Sequence, residues 1–201
     1  MMFLTPCLFS FKPQNKDAVP SIPFEKYTLP NGLTVVLNVD KSDPIVSVAV
    51  YYHVGSSRET EGKTGFAHLF EHMMFQESEN LPRGQFVKNI SNSGGSFNGS
   101  TNQDRTNYFE VLPKNYLELA LWMESDRMGY LENTVTKTSL ANQQNVVQNE
   151  KRQSYDNAPY GFNQTLILKN LYPKGHPYNW DVIGSMQDLT NASVEDVRAI
   201  P

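Results

Sequence analysis

Cysteine is almost absent from this chain of 201 residues, which has one, Cys7. A single thiol excludes an internal disulfide and any cysteine-built zinc knuckle. Histidine is scarce too, with four in the chain, so a metal site must draw on that small pool and on Asp and Glu. No apolar run is long enough to span a bilayer. Net charge is −4, with 17 Lys and Arg spread along the sequence. No basic stripe therefore suits nucleic acid or an anionic membrane surface. What is present is an ordinary composition, 39% hydrophobic and 19% charged, in a length sufficient for one domain with a sizeable core.

Met1 to Phe11 is mostly apolar but lacks a basic n-region and is shorter than a typical signal peptide. Residues 1–23 read either as a degenerate export signal, which would place the protein in the periplasm or outside the cell, or as a disordered leader. Residues 24–201 read as the folded domain. Phe24 to Thr28 and Leu33 to Val39 are expected strands, joined by Leu29-Pro30-Asn31-Gly32, whose Asn-Gly is a hairpin signal. Ile45 to Val54 is apolar on nearly every residue and is expected to be a central strand covered on both faces.

A helix is expected over Lys63 to Glu77, and a shorter one from Leu81-Pro82 to the breaker Ser93-Gly94-Gly95. Ser96 to Thr101 and Arg105 to Leu112 alternate as a hairpin. Pro113 opens an amphipathic helix with Tyr116, Leu119, Ala120 and Met123 on one face. Further helices are expected over Lys137 to Tyr155, from near Pro159, and from Ser193, an N-cap followed by acids. That last helix has little body before Pro201, so the natural domain is expected to continue. The order predicts an α+β fold, a largely antiparallel sheet with helices packed on it.

His68-Leu69-Phe70-Glu71-His72 is where chemistry concentrates. On a helix His68, Glu71 and His72 share a face. Two imidazoles one turn apart can bind one zinc ion, and a carboxylate between them is placed to act as a base. The order reverses the more familiar H-E-x-x-H. A plain solvated face is the competing reading, but Phe75 falls on this same face, where an open-water surface would not place a ring. Zinc needs a third protein ligand. Leu140, Val146 and Val147 form an apolar stripe that continues through Gln143, Glu150 and Ser154, so Glu150 is expected on a buried face. It is read as the third ligand, with an ion pair to Arg105 or Arg127 as the alternative. His53 and His176 read as structural, and Tyr160 and Trp180 as core or interface rings.

Several stretches, taken in order, resemble the superfamily of insulinase, pitrilysin and the mitochondrial processing peptidase, closest to its shorter bacterial members. They are Leu29 to Leu33, Gly65 to Phe75, Ser91 to Tyr108, Asn149 to Asn157 and His176-Pro177-Tyr178. The resemblance implies one zinc per chain held by His68, His72 and Glu150, with Glu71 as general base. It also implies an endopeptidase acting on unfolded peptides, which add to a sheet edge at Asn98, Gly99 and Ser100. The active chamber would close, clamshell-like, against a second homologous half or partner subunit. Three departures stand out. Glu150 lies one residue farther from His72 than is commonest, Gln143 replaces an acid found in some members, and Gly99 stands where Ala is usual. A non-catalytic scaffold subunit of the same family is the alternative function, and a zinc hydrolase of non-peptide substrates a third.

Overall fold

The computed structural model describes residues 21–199, so nearly all of the expected leader, and Cys7, lie outside the described residues. The chain forms two compact units, divided between Asp43 and Pro44. In the first, strands β1 (Glu25–Thr28) and β2 (Thr34–Leu37) pair antiparallel as expected. Gly32 has φ +90° in the left-handed region that Asn-Gly turns require. The amide of Leu33 donates to Asn31 Oδ1 at 3.1 Å and closes the turn.

The second unit contains a three-stranded antiparallel sheet. Its strands are β3 (Ile45–Tyr52), β4 (Ser96–Thr101) and β5 (Thr106–Pro113), in the order β3-β5-β4. This corrects one expectation. The central strand is β5, whereas β3 is an edge whose residues alternate between exposed and half-buried. A continuous apolar run cannot by itself separate a strand buried on both faces from an edge. β4 forms the other edge among the described residues.

The helices are α1 (Phe66–Met74), α2 (Gln85–Asn92), α3 (Leu117–Tyr130), α4 (Lys137–Lys151), α5 (Asn163–Leu171), α6 (Met186–Asn191) and α7 (Val194–Arg198). The architecture is therefore α+β, with helices on an antiparallel sheet. α6 was not foreseen. α5 starts later than expected because Tyr160, at φ +59° and 84% exposed, sits in the turn before it rather than in a core. α7 begins at Ser193 as expected, with Ser193 and Asp196 capping each other's backbone.

Two apolar clusters hold this unit. One joins Leu69 and Met73 of α1 to Tyr108, Val147 of α4, Leu189 and Val197. The other joins Phe86 and Ile90 of α2 to Leu112, Ala120 and Met123. Phe75 packs against both. Between them they fix α1 against β4, β5 and α4, which is what the site requires.

Candidate metal centre

α1 carries the motif, and its start is set by two features. Gly65 has φ +87°, and a Cβ there would stand 2.7 Å from the Ile183 carbonyl oxygen, so only glycine fits. The Glu59 carboxylate then accepts from the amides of Gly65 (3.0 Å) and Ala67 (2.9 Å), capping the helix where its dipole favours negative charge. Burial pushes the Glu59 carboxyl up to about 7 against those hydrogen bonds. The helix begins at Phe66 rather than Lys63 for this reason. Sequence reasoning missed Glu59, because a cap six residues away in chain order leaves no periodic signal.

One turn of α1 brings the two rings together edge-on, with centroids 4.8 Å apart and Nε2 atoms 3.3 Å apart. Glu150, one residue before the end of α4, reaches both, with Oε2 3.2 Å from His72 Nε2 and Oε1 3.7 Å from His68 Nε2. Four ligands at about 2.0–2.1 Å around a tetrahedral zinc stand roughly 3.3–3.4 Å from one another. The two Nε2 atoms stand 3.3 Å apart, each meets a different Glu150 oxygen at 3.2 or 3.7 Å, and one donor atom from each of the three residues lies within 4.8 Å of the others, close to that spacing. His68, His72 and Glu150 are the group among the described residues that could hold a metal ion. Their donor set, two imidazole nitrogens and a carboxylate, is one that zinc accepts.

The electrostatics suit the same reading. Burial, then the neighbouring His72, pushes His68 down to about 4, so its ring is neutral and keeps a lone pair. The hydrogen bond with His72 lowers Glu150 despite partial burial. The side chains of His68, His72 and Glu150 are 13%, 23% and 42% exposed. Glu150 is thus less buried than expected. Val146 faces solvent, and the buried row on α4 is Leu140, Gln143 and Val147, which leaves Glu150 at its margin. Neither arginine proposed as its alternative partner reaches it. Arg127 pairs with Glu124, and Arg105 bonds to Ser100 and Asn107.

Glu71 lies beside the rings on the face toward β4. Its carboxyl is raised, by burial first, against a hydrogen bond from Thr101 and the nearby His72. Thr101 Oγ1 donates to Glu71 Oε2 at 2.5 Å. Asn98, Gly99 and Ser100 lie on the unpaired edge of the sheet, exposed except at Gly99. Gly99 faces the site, since a Cβ there would stand 3.1 Å from Glu71 Oε1 and 3.0 Å from two carbons of the Phe75 ring. His53 accepts from Arg58 at 2.9 Å. His176 stacks on Tyr172 and accepts from the Tyr178 amide, and Trp180 donates to the Ser56 carbonyl.

Residues 34–176 match the profile of the family described as Insulinase (Peptidase family M16). The zinc protease PqqE of Helicobacter pylori is 35% identical over 175 residues, covering 87% of this chain and 39% of that protein. A solved protease from Helicobacter pylori superposes with a TM-score of 0.82 at 35% identity, over 87% of this chain and 42% of that one. The first half of the periplasmic protease PqqL from Escherichia coli superposes at 0.77 with 21% identity, over 87% and 38% of the two chains. This last likeness is one of fold. The chain spans about two fifths of the length of these relatives.

Proposed function

Because the chain belongs to the insulinase family of peptidases, we propose that it is the metal-holding, N-terminal half of a zinc-dependent endopeptidase acting on unfolded peptides. The observation that carries this reading is the convergence of His68, His72 and Glu150 on one point at ligand-to-ligand spacing, with the Glu71 carboxylate alongside. When bound there, zinc supplies Lewis acidity, lowering the pKa of a water it holds and polarising a carbonyl.

The chain's own residues do the rest. His68 enters as a neutral donor beside His72, and Glu150 brings one negative charge. Glu71 is held as a proton acceptor whose basicity burial raises. It takes a proton at its carboxylate and passes it to the departing amine, on a helix whose core side packs against the paired rings of Phe75 and Tyr108. A peptide would add as a further strand along β4 at Asn98, Gly99 and Ser100, so that main-chain hydrogen bonds hold many sequences. Completion of the chamber falls to a second homologous half, in keeping with the length of the relatives. An extracytoplasmic location is the matching proposal, motivated by the apolar start of the sequence and the periplasmic relative.

The test is metal analysis of the purified chain. Wild type should carry one zinc per chain, and His72→Ala roughly a tenth of that or less, because three protein ligands are the working minimum. Undiminished zinc in His72→Ala would remove the assignment.

A further inference from the structure

Glu71 meets β4 through both of its carboxylate oxygens, and the two meetings differ. Oε2 accepts the Thr101 hydroxyl at 2.5 Å. Oε1 lies over the bare Cα of Gly99, where a side chain would begin 3.1 Å away, and among the described residues it accepts no hydrogen bond. Behind Thr101 stands a second hydroxyl, Thr106 Oγ1, at 3.3 Å. Its own proton goes to the Val54 carbonyl oxygen at 2.9 Å. Each threonine has one proton to give. Thr106 gives its proton to a backbone acceptor and so has none for Thr101, and the Thr101 proton goes to the much nearer acceptor, Glu71 Oε2 at 2.5 Å rather than Thr106 Oγ1 at 3.3 Å.

The last torsion of a glutamate is broad, so a carboxylate with one anchored oxygen is far more sharply oriented than a free one. A hydroxyl donating to an ionised carboxylate is also among the stronger hydrogen bonds available. We propose that Thr101 is the positioning residue for Glu71. It holds the carboxylate by Oε2 and thereby reserves Oε1, opposite the side-chain-free Gly99, as the atom that takes the proton. This role rests on the reading of Glu71 as the base. It makes β4 the strand that both receives the peptide and aims the base, so the two are registered to each other by three residues of one backbone.

The experiment is a double-mutant cycle read by urea unfolding of the metal-free 201-residue chain, with zinc content measured in parallel. Thr101→Val keeps shape and removes the donor; it should lower the folding equilibrium constant about tenfold while Glu71 is present. In a Glu71→Ala background the same change should have almost no effect. Thr101→Ser, which restores the hydroxyl without the methyl, should recover most of the loss only when Glu71 is intact. Zinc content should be the same in Thr101→Val and wild type, since the hydroxyl touches no ligand. An equal loss in both backgrounds would make Thr101 an ordinary sheet residue and overturn the role, as would loss of zinc in Thr101→Val. Failure of the wild-type chain to take zinc would bring down the catalytic reading and this role with it. Zinc binding without Thr101–Glu71 coupling would bring down this role alone.

Discussion

Two clusters of charge border the Phe75 ring, and they are completed in opposite ways. In the core, Glu110, Glu124 and Arg127 are 0%, 3% and 2% exposed. Arg127 Nε donates to Glu124 at 2.9 Å, and the guanidinium lies over the rings of Tyr108, Phe86 and Phe75 at 4.4, 4.8 and 5.6 Å. The chain itself supplies the positive charge. At the α1–α4 cluster, two acids and two imidazole rings converge, partly open to solvent, and no Lys or Arg among the described residues pairs with Glu150 or Glu71. Similar residue types thus serve different ends. An internal cation makes one cluster part of the fold, and the convergence without one is what the proposed metal site rests on.

The largest expected effect breaks the core cluster. Arg127→Ala strands Glu124 beside Glu110 without a counter-charge and should cost about 3–5 kcal/mol, measured by urea unfolding of the metal-free chain. His72→Ala should do the reverse, abolishing zinc while shifting metal-free stability by less than about 1 kcal/mol. If both substitutions destabilised the metal-free chain equally, the distinction between the clusters would be lost.

Glu71→Gln should leave zinc in place. In a form completed by a second half it should slow peptide turnover roughly 10²-fold or more, because the amide cannot take the proton. The 201 residues alone should show little turnover, since the proposed second half would supply the other wall of the chamber that positions the peptide. A quenched fluorescent peptide library, with Glu71→Gln as control, reads both outcomes.

A further effect is one of pH. Burial, with Glu124 beside it, pushes Glu110 up to about 9. A carboxyl whose folded pKa is raised favours folding in its protonated form. Its contribution is intact below the ordinary carboxylate pKa and is lost as pH rises toward 9. Glu110→Gln, a neutral near-isostere, should therefore gain stability relative to wild type on going from pH 5 to pH 9. A constant difference across that range would show that Glu110 stays ionised in the fold.

The site was more legible in the sequence than the core charges were. His68, Glu71 and His72 lie within one turn, so helical spacing alone puts them on one face. Glu150 was found through the periodicity of its helix, although that stripe wrongly included Val146. The Arg127 cluster obeys the same rules but was passed over. Glu110 alternates with Tyr108 and Leu112 on β5, and Glu124 and Arg127 share the face of Ala120 and Met123 on α3. Nothing local marks them as buried: Glu124 and Arg127, three residues apart on one helix, have the spacing of an ordinary surface pair, and Glu110 comes from another element. Asp126 is a further case, buried on α3 to anchor Ser78 and Asn80 after α1. Sheet order was the least legible feature, since which strand lies at the edge depends on pairings that no local pattern encodes.

The open edge of β3 has a consequence for handling the chain. Ile45–Tyr52 runs eight residues without a charge, a proline or a bulge, and one of its two ladders of backbone groups has no partner strand among the described residues. Natural sheets usually blunt such an edge with lysine, proline or a covering segment. Left bare, it is a template on which a second molecule can continue the sheet, and each addition exposes the same template again. The isolated chain should therefore self-associate in proportion to its concentration, with rising light scattering that Ala49→Lys suppresses without touching the zinc site.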